Sequence, residues 1–203
     1  MEFMHIIRQR RSARSFKADP VPQHALQDML EAARLAPSGG NSQNHLIGVI
    51  TETERKRQLA EAAGGQTWIA SAPLVFALCA RLDWSLNSLP ADDYGLEVNR
   101  RRFGQDFLAW LQTWPDDLAM TRLFENATPL IPGTQIFLAA VAHGLRACWI
   151  GDLDIERANR ILGLPENVSC LFLMPVGYAA KEPQPIQRKT LEEVVFFEHW
   201  PPS

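Results

Sequence analysis

The chain is 203 residues long, with 20 Lys and Arg against 23 Asp and Glu, a formal net charge of −3, and 46% hydrophobic and 21% charged residues. That composition describes a globular chain with enough length for a real core and too little for two full domains, so residues 1–203 are read as one domain. The mildly acidic balance excludes an overall attraction to nucleic acid or to a membrane surface, and the longest apolar runs, Leu74 to Ala80 and Ile136 to Ala142, fall far short of the ~20 residues that span a bilayer.

The N-terminus reaches Arg8 before a signal-type apolar stretch can form, which predicts a cytoplasmic protein. Phe3, Ile6 and Ile7 suggest a short first helix. Leu26, Met29, Leu30 and Ala33 then recur at helical spacing behind Pro20 and Pro22, in an amphipathic helix stopped at Pro37. Residues 37–44 are a loop by composition, His45 to Ile50 a strand, and Glu54 to Ala63 a helix ending at Gly64-Gly65. The run Pro73 to Ala80 is apolar throughout, the pattern of a central strand buried on both faces.

From Leu82 to Asn126 polar residues are interleaved with Trp84, Tyr94, Phe103, Phe107, Trp110, Trp114 and Phe124, which predicts a helical excursion from the core. Gly133 to His143 is apolar nearly all round, as a buried central helix is. Cys148-Trp149-Ile150 reads as a brief strand. Asp154 caps a helix carrying Ile155, Ala158, Ile161 and Leu162, and Cys170 to Val176 is a further strand closed by Gly177. Pro183-Gln184-Pro185 then holds an extended tail that leads to Leu191–Phe197 and Trp200. Helices alternating with strands predict three layers, α/β/α.

Four places offer chemistry. Arg10, Arg11, Ser12 and Arg14 crowd three guanidinium groups and a hydroxyl into five residues. If the segment is extended, Arg10, Ser12 and Arg14 share a face suited to a phosphate, although a solvated basic turn fits the composition equally well. Pro37 to Gln43 combines two glycines with Ser38, Asn41 and Gln43, a composition that suits the edge of a polar heterocycle but lacks the Lys-Ser/Thr pair of a phosphate-binding P-loop. Cys148 to Asp152 runs a strand end into Gly151 and can leave main-chain N–H groups free. Arg188 and Lys189 form a second basic pair in the tail. Cys79, Cys148 and Cys170 are far apart in apolar surroundings, and the five histidines lack ligand spacing, so neither a disulfide nor a metal is expected.

In order, R-R-S-x-R-x-F (Arg10 to Phe16), A-P-S-x-x-N-x-Q (Ala36 to Gln43), A-P (Ala72-Pro73), G-L-x-x-C-W-I-G (Gly144 to Gly151) and P-V-G-Y followed by a basic pair and L-E-E-V-V resemble the FMN-dependent nitroreductase family. The resemblance runs from Arg10 to Val195 and leaves Leu82 to Asn126 uncovered. It implies an α+β, three-layer α/β/α fold with a central mixed or antiparallel sheet flanked by helices, and a C-terminal tail exchanged with the partner subunit of a homodimer. FMN at the subunit interface is implied too. By that resemblance Arg10, Arg11, Ser12 and Arg14 clasp the phosphate, ribityl and N1/O2 side of the flavin, and Arg188 or Lys189 adds to the phosphate site. Pro37, Ser38, Gly39 and Asn41 come from the partner chain, Gln66 reaches the pyrimidine edge, and Ile150 and Gly151 present backbone N–H groups near N5.

The implied reaction is ping-pong: NADH or NADPH reduces the flavin, which then reduces a small electron-poor acceptor such as a nitroaromatic, quinone, enone or free flavin. No protein acid or base is required for it. An FMN-binding or flavin-remodelling protein without nicotinamide turnover satisfies the same motifs. The aromatics Tyr94, Phe103, Phe107 and Phe124 of the excursion are expected to line the acceptor pocket, or else merely to pack the excursion onto the domain. Three departures from the family pattern stand out: Asn44 in place of a proline, Arg146 in place of a glycine, and Pro132-Gly133-Thr134-Gln135 in place of a more helical stretch, which delays the start of that helix.

Overall fold

The computed structural model describes residues 2–83 and 89–198, so the expectations placed on Trp84 and Trp200 lie outside the described residues. Four strands, β1 (His45–Ile50), β2 (Leu74–Arg81), β3 (Arg146–Ala147) and β4 (Val168–Gly177), form one sheet in the order β1-β2-β4-β3. Every pairing within it is antiparallel. The helices are α1 (Phe3–Gln9), α2 (Gln23–Arg34), α3 (Thr53–Ala62), α4 (Tyr94–Phe103), α5 (Gln105–Leu111), α6 (Asp117–Glu125), α7 (Leu130–Ala142), α8 (Ile155–Leu162) and the single turn α9 (Leu191–Val194). The fold is α+β. No helix among the described residues is long and apolar enough to cross a membrane.

The apolar run in β2 is continuous because both faces of the strand are covered. Leu74, Phe76 and Leu78 join Met29 of α2 and Ile136 and Phe137 of α7 in one core. Val75, Ala77 and Cys79 join Leu59 of α3, Ile69 and Ala158 of α8 in the other. A bulge interrupts the pairing with β4: Leu78 lies opposite Phe172 but Cys79 lies opposite Cys170, which leaves Leu171 as the extra residue. The extra residue exchanges the faces, so that Phe172 and Met174 pack on the α2/α7 side while Cys170 and Val168 pack on the other.

Two boundaries differ from the sequence expectation. Helix α7 starts at Leu130 rather than after Pro132. Pro132 sits in its first turn, where a backbone N–H has no intrahelical acceptor and a proline costs nothing. The expected strand at Cys148–Ile150 is instead the two-residue β3 followed by an isolated bridge from Ile150 to Leu173. Cys148 N–H donates to the carbonyl of Pro175 at 3.3 Å, and a proline has no N–H to return the bond, so the ladder breaks there.

Gly133 lets α7 reach the sheet. A Cβ built on it would lie 2.5 Å from the Trp149 ring and 2.8 Å from a Leu78 methyl, and Trp149 is itself held edge-on to Phe172 with ring centres 5.4 Å apart. Gly133→Ala is therefore expected to cost about 1–3 kcal/mol through overpacking, despite alanine's higher helix propensity. Thermal unfolding checks this, and an unchanged midpoint would contradict the close packing.

The excursion carries a small core of its own, made of Leu96, Leu108, Leu111 and Met120. Arg122 of α6 ties it to the sheet: Nε donates to Ser169 Oγ of β4 at 3.0 Å and the guanidinium pairs with Glu156 of α8. The fully buried Ser169 hydroxyl also accepts from Asn159 Nδ2 at 3.0 Å.

Candidate active site

The Arg10–Arg14 cluster is threaded along the sheet edge that β3 forms. Beyond α1 the chain runs beside β3, with Ala13 N–H donating to Ala147 O at 3.0 Å and Ser12 bridging Ala147. It then pairs with the segment leaving β4: Lys17 N–H donates to Tyr178 O at 2.8 Å and Ala180 N–H to Ser15 O at 3.0 Å. Ala13 and Phe16 are buried by this threading, and Arg14 is exposed. The root of the C-terminal tail is thereby laid beside the arginines. Between the two lies an open cavity of about 320 Å³, with Arg11, Ser12 and Arg14 on one wall and Lys181, Gln184 and Ile186 on the other.

Strict alternation along residues 10–14 does not hold. Arg11 joins Ser12 and Arg14 at the cavity, while the Arg10 guanidinium lies over the Phe137 ring of α7, 5.3 Å from its centre. The reason is local: Arg10 N–H still closes the last turn of α1 on Ile6 O, and Arg11 Nη1 donates back to the carbonyls of Arg8 and Arg10 at 2.7 and 2.8 Å.

The electrostatics of this corner are one-sided. Among the described residues, none of Arg10, Arg11, Arg14, Lys181 or Arg188 forms an ion pair, although ten other pairs are present, most of them on exposed helix faces. Burial holds the Arg10 pKa below its ordinary value, and the like charges of Arg188 and Arg11 lower it further. Arg188 of the tail is thus brought into the field of Arg10, whereas Lys189 is exposed and forms no hydrogen bond or ion pair among the described residues. Burial raises the Cys148 thiol pKa, opposed by Arg14, a hydrogen bond with Ser12, and Arg10, which places this thiol beneath the cluster. A corner holding several guanidinium groups, none of them paired with a carboxylate among the described residues, fits a phosphate dianion, which pairs with such forks bidentately.

A second group of expected residues lies around the end of α3. Asp154 N–H donates to Ala62 O at 2.8 Å, and the Asp152 carboxylate fills the space a Cβ on Gly64 would need, 2.7 Å from Oδ2. This seats the 64–66 turn beside Gly151. Gln66 is half-buried, and its Nε2 donates to Ala63 O at 2.9 Å. The Ile150 N–H, expected to face a ligand, instead donates to Leu173 O at 2.9 Å in the isolated bridge, so it is not a free donor. Gly151 N–H has no partner among the described residues and is the available one.

Other expected residues stay apart. Pro37, Ser38, Gly39 and Asn41 line no part of the cavity. Their loop is mostly exposed, with Gly40, Asn41 and Gln43 at positive φ, and the Ser38 hydroxyl accepts from Gln43 N–H at 3.0 Å. In the excursion Phe124 packs against the small core and meets Phe103, and Phe103, Phe107, Trp110 and Trp114 continue as a ladder of ring contacts. Tyr94 is exposed. None of these aromatics lines the cavity. Lys181, Glu182 and Gln184 were not foreseen: a basic residue just beyond a strand-ending glycine is too common a pattern to single out.

The family model described as the Nitroreductase family matches residues 7–178 of the chain. The chain belongs to the nitroreductase family. A Thermus thermophilus protein named NADH dehydrogenase is 34% identical over 189 residues, covering 93% of this chain and 92% of the relative. Among solved structures, nitroreductase A from Vibrio parahaemolyticus superposes with a TM-score of 0.75 at 25% identity, covering 100% of this chain and 78% of that one. The NADPH:FMN oxidoreductase from Vibrio harveyi, solved in complex with NAD+, gives the same score and identity over 98% of this chain and 78% of its own. As a nitroreductase-family member the chain is an oxidoreductase, and the family match covers both the arginine cluster and the Ile150-Gly151 segment.

Proposed function

We propose that this nitroreductase-family chain is an FMN-dependent oxidoreductase that takes electrons from NADH or NADPH and, by a ping-pong mechanism, reduces a small electron-poor acceptor such as a nitroaromatic, quinone, enone or free flavin. The observation that carries the reading is the set of guanidinium groups without carboxylate partners around a cavity at the sheet edge. The names of relatives as FMN reductase and NADPH-flavin oxidoreductase support the cofactor and the reductant.

When bound, FMN would supply the redox chemistry, carrying electrons from the nicotinamide to the acceptor. The chain's own residues bind and orient. Arg10, Arg11, Arg14 and Arg188 hold the phosphate and polar side of the cofactor by charge-assisted hydrogen bonds, with Ser12 as a neutral partner. The Gly151 N–H and the Gln66 carboxamide provide polar contacts for the ring edge. These groups are held in place by β3, by the 64–66 turn and by the root of the tail, so little reorganisation accompanies binding. No side chain has to move a proton for this reaction.

The exposed loop Pro37–Asn41 and the apolar tail serve the site of a second copy in this reading, which makes the functional unit a homodimer with the cofactor between subunits. Initial-rate kinetics test the reaction type. With NADPH varied at several fixed concentrations of a quinone, double-reciprocal plots are expected to be parallel, and lines that intersect to the left of the axis would overturn the ping-pong assignment.

A further inference from the structure

Glu182 is the odd member of the cavity. Among the described lining residues it is the only carboxylate, and it shares the space with Arg11, Arg14 and Lys181. Yet it pairs with none of them. Its Oε2 instead lies 3.2 Å from both Nε and Nη2 of Arg146. Arg146 is the steadier partner: its side chain is 14% exposed against 68% for Glu182, its Nη1 donates to Leu145 O at 3.0 Å, and its backbone is fixed in β3 opposite Gly177. The Glu182 carboxylate makes no other hydrogen bond or ion pair among the described residues, so only Arg146 fixes where its charge points.

We propose that Arg146 is a positioning residue that withholds the Glu182 carboxylate from the arginine cluster and so keeps the cavity receptive to the phosphate of FMN. The inference rests on the proposed function. A carboxylate and a phosphate compete for the same guanidinium forks, and a carboxylate left in the cavity also repels an incoming dianion. Released from Arg146, the exposed Glu182 side chain is an internal competitor tethered at the site.

The two partners therefore have opposite roles, which a simple structural bridge does not allow. Breaking a structural bridge from either end does the same harm. Under the proposal, losing Arg146 weakens FMN binding, whereas losing the charge on Glu182 does not.

The test is the dissociation constant of FMN, read by quenching of flavin fluorescence at low ionic strength, for the wild-type apoprotein and for Arg146→Gln, Glu182→Gln, the double variant and Arg146→Lys. Arg146→Gln is expected to weaken FMN about tenfold. Glu182→Gln should bind FMN at least as tightly as wild type, the double variant should match Glu182→Gln, and Arg146→Lys, which keeps the charge, should stay near wild type. Riboflavin, which lacks the phosphate, should bind all of them alike. Equal weakening by both single substitutions, or a double variant as weak as Arg146→Gln, would overturn the proposal while leaving the cofactor assignment intact. A wild-type chain that binds riboflavin and FMN equally well, or neither, would instead remove the phosphate site on which both readings stand.

Discussion

A chain ending at Ala180 is expected to bind FMN roughly a hundredfold more weakly than the full chain, or not at all, and to be unable to form the proposed homodimer. The truncation removes one wall of the cavity, Lys181 to Ile186, together with Arg188, whose charge acts on Arg10. Each charge-assisted contact to a phosphate is worth about 1.5–3 kcal/mol, so losing two of them exceeds a hundredfold in affinity. The rest of the tail is too apolar to stand alone in water: Ile186, Leu191, Val194 and Phe197 are 64%, 74%, 60% and 83% exposed in the single chain. In the proposed homodimer a second copy would cover these residues and return them to an apolar setting, as in obligate interfaces. Light scattering and flavin absorbance on the purified truncated chain check both parts. A truncated protein that is still a yellow dimer would show that the tail contributes to neither.

Arg10→Gln carries the second large effect. The Arg10 guanidinium is half-buried over Phe137, beside Arg188 and Arg11, and forms no ion pair among the described residues to offset the repulsion. Removing its charge relieves that repulsion in the free protein and forfeits about 0.5–1 kcal/mol of cation–π attraction, so the stability of the apoprotein should change by less than about 1 kcal/mol. FMN binding should weaken about 10- to 150-fold, the equivalent of one charge-assisted hydrogen bond, and should become less sensitive to salt. The contrast between a nearly unchanged apoprotein melting temperature and a large loss of affinity separates a ligand site from a structural arginine. If the apoprotein loses several kcal/mol while FMN affinity holds, Arg10 is a structural residue.

The elements that were legible in the sequence are those whose signals are local. The continuous apolar run in β2 reports burial on two faces, and the Asp154 cap, donated to by Arg157 N–H at 2.9 Å, marks the start of α8 four residues before its buried Ala158. The arginine cluster was visible as composition. Which way its side chains point was not, because that depends on α1 closing its last turn on Arg10 and on Phe137, more than a hundred residues away, offering a ring. The break after β3 depends on a proline in the facing strand, and the Arg146–Glu182 pair joins residues 36 apart through a register that no local pattern encodes. The Ile150 N–H failed as a ligand donor for the same reason: its acceptor, Leu173, is supplied by β4.

Anaerobic reduction of the FMN-loaded protein by NADPH, followed by absorbance near 450 nm, is the most direct measurement. The account predicts that the flavin band bleaches on adding NADPH or NADH and returns when a quinone or nitroaromatic is mixed in, with Arg10→Gln doing the same only at raised FMN concentration. A fully loaded protein whose flavin stays oxidised in the presence of either nicotinamide would contradict it and would identify the chain as a flavin-binding or flavin-remodelling member of the nitroreductase family.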